Sequence, residues 1–195
     1  MGGWCADAAA VALVVGHEPG RDVDTQVRGL VACFGNVLRG DDGFGAAVAA
    51  HLSEAALPAT VRVLELGIGG IHLVHELTDE IELLVVVDAI DLGRPAGQVV
   101  VQRPDVVDVW TLSATERRDE LADMHFAVPA RALMLARALE VLPAQTWLVG
   151  CQLVDDETLG AELSPAVAAG VAPAGEEVVR LLAEHGLLDT QPSDP

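Results

Sequence analysis

Lysine and tyrosine are absent from this 195-residue chain, and all 11 of its basic residues are arginine. The missing lysine removes Schiff-base chemistry, the anchor of pyridoxal phosphate and the phosphate-binding lysine of a P-loop. The missing tyrosine removes a phenolic general acid. Positive charge is scarce as well, because 30 acidic residues against 11 basic ones leave a formal net charge of −19. Affinity for nucleic acids rests on cationic groups that displace counterions, so no nucleic-acid partner is expected. The longest apolar stretches, such as Ala8 to Val15 and Leu83 to Val87, fall far short of the ~20 residues that span a bilayer, and no membrane association is expected. The first twenty residues carry neither Lys nor Arg and so lack the positive n-region of a secretory signal. Cysteine occurs only as Cys5, Cys33 and Cys151, without a CxxC pair. That usage suits a reducing compartment, and we expect a cytoplasmic protein.

Aromatics are few, at 3%, while apolar residues make up 51%. The core is therefore expected to consist of Val, Leu, Ile and Ala, which suits buried parallel strands and closely packed helices. The length fits one domain. We divide the chain into a poorly specified leader over 1–26, an α/β domain over 27–190 and a flexible tail over 191–195.

Within the domain, strand, loop and helix alternate. Leu30 to Phe34 reads as a strand stopped by Gly35-Asn36, and the Ala-rich helix Phe44 to Ala56 follows Gly40-Asp41-Asp42-Gly43. Val61 to Leu66 is a second strand, with Gly67-Ile68-Gly69-Gly70 and the helix Ile71 to Leu77 after it. The unbroken apolar run Leu83 to Val87 marks a central strand buried on both faces, and it ends at Asp88. Only Ala89 to Ala96 separates it from the next strand, Gly97 to Gln102. A parallel crossover needs a dozen or more residues, so an antiparallel hairpin is expected there. Pro104 to Met124 is polar and irregular, with room for a short helix. It is followed by the helix Val128 to Leu142, the strand Thr146 to Leu153, and a helical region Pro165 to His185 expected to break at Pro173. The predicted fold is a single-domain three-layer α/β sandwich. Its five-stranded, mostly parallel sheet has one antiparallel strand and helices on both faces.

In open sheets of this class, ligands bind beyond the carboxyl ends of the strands, where the strand order reverses. Asp41 and Asp42 follow the first strand, Asp88 the third and Asp155 the last. If the strands run 2-1-3, Asp42 and Asp88 face each other across the switch point, and His125, on a loop entering a helix, supplies a third corner. Two carboxylates and an imidazole with open positions make a divalent-metal site, and imidazole suits nickel, zinc, copper or iron. One of the Asp41–Asp42 pair is expected to do no more than cap the helix beginning near Gly43. Asp88 is harder to explain structurally, because a carboxylate closing an apolar strand is costly unless it is bonded to something. Gly35 to Gly40 has the outline of a P-loop, but Asp41 and Asp42 stand where Lys and Ser or Thr should. His72 and His75, beside Glu76 and Asp79, read as a solvated helix face. Cys33 and Cys151 sit in apolar strands, and a Cys151–His125 nucleophile pair is a weaker alternative.

The segment Phe34-Gly35-Asn36-Val37-Leu38-Arg39-Gly40-Asp41-Asp42-Gly43-Phe44-Gly45, the later Val85-Val86-Val87-Asp88-Ala89, His125 before a helix, and Val149-Gly150-Cys151-Gln152 with Leu163-Ser164-Pro165 together resemble the hydrogenase maturation endopeptidases. The likeness runs from about Leu30 to about Leu182. It departs from the family after the second strand, where Glu65-Leu66-Gly67 stands in place of Asp-Gly-Gly. The resemblance implies an endopeptidase that removes the C-terminal extension of a [NiFe] hydrogenase large-subunit precursor after nickel insertion. It also implies that Asp42, Asp88 and His125 bind metal, the nickel being carried by the precursor, with Asp42 and Asp88 as the catalytic candidates. We expect a monomer whose partner is that precursor. The rival readings are a non-enzymatic nickel-binding assembly factor and a small-molecule hydrolase on a similar sheet.

Overall fold

A computed structural model describes residues 26–67, 69–78, 80–122, 129–154, 158–160 and 162–188. Among them lie five strands: β1 (Gly29–Phe34), β2 (Val61–Gly67), β3 (Leu83–Ile90), β4 (Val99–Gln102) and β5 (Gln145–Gln152). The helices are α1 (Phe44–Ser53), α2 (Gly70–Glu76), α3 (Ala114–Ala122), α4 (Pro129–Ala138) and α5 (Pro165–Glu184). Short 3₁₀ turns form at Gly40–Gly43 and Val109–Thr111.

The strands form one sheet in the order β2-β1-β3-β5-β4. β1 pairs in parallel with β2 and β3, and β3 pairs in parallel with β5. Residues Leu83 to Val87 of β3 are fully buried, as their unbroken apolar run predicts. Alternate residues feed two cores. Val85 and Val87 pack with Val31, Val48, Val149 and Val178 on the α1/α5 face. Leu84 and Val86 pack with Leu30, Leu73, Leu133 and Ala136 on the α2/α4 face. Each such side chain, once fully buried, contributes roughly 1.5–3 kcal/mol of hydrophobic stabilisation. This is the three-layer arrangement expected, with four parallel strands and one antiparallel.

The antiparallel strand has a different partner from the one expected. β4 runs antiparallel but pairs with β5, from Val99 opposite Cys151 to Gln102 opposite Leu148, so no β3–β4 hairpin forms. The second edge of β3 is occupied by β5 along an eight-residue ladder from Leu83↔Gln145 to Ile90↔Gln152. The connection after β3 passes over that strand, held by the buried Gln152 side chain. Its Oε1 accepts from Leu92 and Arg94 N–H at 2.8 and 3.1 Å, and its Nε2 donates to Asp91 at 3.0 Å.

α5 is continuous through Pro173, contrary to the expected break. Pro173 lies on the exposed side, as does Ala169, whose carbonyl loses its helical donor and can be hydrated instead. The buried stripe Gly170, Ala174, Val178 and Leu182 meanwhile stays in register on the sheet. α1 and α4 are shorter than predicted, and α4 ends just before Glu140, which adopts a φ of 60°. Among the described residues, no helix is long and apolar enough to cross a membrane.

Candidate active site

Strand parity aims Asp88. Leu84 and Val86 face α2 and α4, so Asp88, two residues further along β3, points to the same side just beyond the core. Its partner on β5 is Gly150, which places no side chain opposite the carboxylate. Asp42 arrives by a tight return after β1. Gly35 has a φ of 137°, and a Cβ there would come within 2.0 Å of the Asp42 carbonyl oxygen, so glycine is required. Asn36 N–H donates to Asp42 O at 3.1 Å, and Asp42 N–H donates to Arg39 O at 3.0 Å.

The adjacent acids then separate in role. Asp41 is buried and accepts hydrogen bonds from Val154 N–H at 2.8 Å, Ser164 N–H at 2.7 Å and the Ser164 hydroxyl at 3.1 Å. It fastens the 3₁₀ turn to the segment after β5 and to Ser164, the N-cap of α5. The N-cap position of α1 falls to Gly43, which has no side chain of its own to cap with. Asp42 is half-buried, and its charge acts on Asp88. The Asp88 carboxyl is pushed up to about 7, first by burial and then by the Asp42 charge, against the opposing pull of Ala89 N–H. The structure thus brings Asp42 and Asp88 together across the β1–β3 switch point, as the 2-1-3 order requires.

A cavity of about 230 Å³ opens beside Asp88, walled by Ile90 and Leu148 from the sheet, Gln102 and Asp105 from β4 and its continuation, and Pro129 and Leu133 from α4. Asp105 went unnoticed in the sequence because nothing local distinguishes it from other surface acids. Asp41 was visible only as one of a pair. His125 and Asp155 lie outside the described residues. Among the described residues no group of three or more His, Cys, Asp or Glu side chains is gathered for a metal, so the described part of the site is the Asp42–Asp88 pair. His72 and His75 are exposed on α2, as a solvated face should be.

A thiol nucleophile is disfavoured by the same geometry. Cys151 is fully buried under α5 on the α1/α5 face, whereas Asp88 faces the other side. Its thiol is pushed up to about 11 by burial and by Asp41, and that of Cys33 to about 12 by burial and by Glu65. Both stay protonated at neutral pH.

The family model described as hydrogenase maturation protease matches residues 46–181, a span that includes Asp88 and His125. The chain belongs to the hydrogenase maturation protease family. The hydrogenase expression/formation protein HupD of Rhodobacter capsulatus is 36% identical over 161 residues, covering 82% of this chain and 73% of that protein. Among solved structures, the hydrogenase maturating endopeptidase HybD from E. coli superposes with a TM-score of 0.66 at 26% identity, over 82% of this chain and 94% of that one. A hydrogenase 2 maturation peptidase from a Thaumarchaeota archaeon gives a TM-score of 0.58 at 31% identity, over 82% and 99% of the respective chains. As a hydrogenase maturation protease the chain is a peptidase, a hydrolase of peptide bonds.

Proposed function

We propose that this chain makes one endoproteolytic cut, removing the C-terminal extension of a [NiFe] hydrogenase large-subunit precursor. In this reading the precursor's nickel is the feature recognised, and Asp42, Asp88 and His125 are the groups that meet it. The observation that carries the proposal is the Asp42–Asp88 pair. Asp88 is desolvated and faces a second negative charge, an arrangement that is costly by itself and relieved by a cation. Nickel belongs here to the substrate. Two carboxylates and an imidazole are donors that suit it, and they leave positions open for the precursor's own ligands. A metal held there supplies Lewis acidity at a neighbouring carbonyl. The chain's own contribution is to hold the two carboxylates at one edge of the sheet, Asp42 on the 3₁₀ turn after β1 and Asp88 on β3. In this reading Asp42 acts as the general base that takes a proton from an attacking water.

The test is to incubate the protein with nickel-loaded and nickel-free precursor and follow the C-terminal truncation by gel shift and mass spectrometry. Cleavage of the loaded form alone is expected, with loss in Asp42→Ala and in Asp88→Ala. If neither form is shortened, or if cleavage survives both substitutions, the proposal fails. Calorimetry with nickel alone addresses the assembly-factor reading, because a delivery role requires tight binding of the metal without precursor. Turnover of simple esters or amides that is lost in Cys151→Ala is what the small-molecule hydrolase reading requires, and the sealed thiol of Cys151 does not favour it.

A further inference from the structure

Among the described residues, six of the nine exposed large apolar side chains stand at the carboxyl-end edge of the parallel strands. Val37 and Leu38 follow β1, Ile71 follows β2, Leu92 follows β3, and Val154 and Leu159 follow β5. They are between 48% and 76% exposed, Leu159 the most. Ordered backbone holds much of this ring. Arg39 and Leu159 form an antiparallel bridge, and Gly160 N–H donates to Leu38 O at 2.8 Å. Leu38 N–H donates to Asn36 Oδ1 at 3.0 Å, and Asp41 receives Val154 N–H at 2.8 Å. Two loops far apart in sequence are thus joined into one platform that presents leucine and valine to water. Scattered apolar residues are ordinary on a surface, but six at one edge of the sheet, four of them on two loops bonded to each other, mark an interaction site.

We propose that this platform is the docking surface for the folded body of the hydrogenase precursor, a deepening that rests on the function proposed above. Three features select that occupant. The ring borders Asp42, which follows Leu38 by four residues, so whatever covers it is brought to the carboxylates. The ring follows the ends of four adjacent strands, a breadth on the order of 15 Å at the usual strand spacing, wider than one extended peptide and suited to a folded surface. A second copy of this chain is disfavoured by the net charge of −19, which makes two copies repel. The fitting partner surface is apolar at its centre with a neutral or basic rim.

The experiment compares wild type, a Leu38→Ser/Leu159→Ser double variant and, as a control away from the platform, Leu139→Ser. Binding of nickel-loaded large-subunit precursor is measured by calorimetry in an Asp88→Asn background so that cleavage does not intrude, and cleavage kinetics are measured with Asp88 intact. We expect the double variant to weaken binding and raise KM at least tenfold with little change in kcat, while Leu139→Ser changes neither. Both side chains point to solvent, so an unchanged melting temperature identifies the effect as one of docking. Equal binding by wild type and the double variant overturns the proposal, as does a wild-type protein that binds no precursor. A wild-type dimer dissolved by the double substitution in sedimentation velocity also overturns it, assigning the platform to a second copy. Platform-dependent binding without any cleavage would instead overturn the proposed reaction and leave the docking surface standing.

Discussion

The two faces of the sheet are built from the same strands and end in opposite chemistry. On the α1/α5 face, Val85 and Val87 lead into a core that also seals Cys33 and Cys151, and there the thiols are pushed far above their usual range. On the α2/α4 face, Leu84 and Val86 lead to Asp88, a cavity of about 230 Å³ and a neighbouring carboxylate. One step along β3, from Val87 to Asp88, separates scaffold from site. A strand assigns successive residues to opposite faces. One face can therefore be filled for stability while the other, just past the end of its core, is left open to hold charge.

That contrast is testable, first through its core. Leu182→Ala under α5 removes a fully buried side chain and is expected to cost roughly 3–5 kcal/mol in chemical denaturation. Leu133→Ala, whose side chain already borders the cavity, should cost less, nearer ~2 kcal/mol. Equal losses would mean that the two faces are equally close-packed.

A second difference is electrostatic. The Asp88 carboxyl lies near 7 in the folded protein, against about 4 in an unfolded chain. Between those values the folded state retains a proton that the unfolded chain has released. Stability contributed by this group is therefore full below pH ~4 and is lost as pH rises through ~7, by on the order of a few kcal/mol. Asp88→Asn should abolish that slope and leave the protein more stable than wild type at pH 8, as read from denaturation midpoints across pH. An unchanged slope would remove the burial argument for Asp88.

Smaller effects separate Asp41 from Asp42. Asp41→Asn disturbs a buried carboxylate with three hydrogen bonds and is expected to cost about 1.5–3 kcal/mol. Asp42→Asn should cost little stability while impairing cleavage. The smallest effect is expected at Cys151, where Cys151→Ala should leave precursor cleavage within about twofold of wild type and iodoacetamide should label the native thiol only slowly at neutral pH. A large activity loss there would transfer the chemistry to the sealed face.

Sequence reasoning reached those features that are encoded locally. The apolar run Leu83 to Val87 could only be a strand covered on both sides, and Asp88 at its end was therefore conspicuous. The short link after β3 excluded a parallel crossover and so fixed the direction of β4. Gly35 and Gly40-Asp41-Asp42-Gly43 announced a turn carrying acids. Length, the missing lysine and tyrosine, and the excess of acid narrowed the chemistry further. Tertiary structure alone decided that β5 lies between β3 and β4, since strand pairing joins segments more than forty residues apart and leaves no local mark. It also kept α5 continuous through Pro173, because hydration of one exposed carbonyl costs less than breaking a helix whose other side is packed on the sheet. The division of labour between Asp41 and Asp42 was settled in the same way: neighbours in the chain became a buried fastener and a member of the site according to which distant groups, Val154 and Ser164 or Asp88, the fold brought to each.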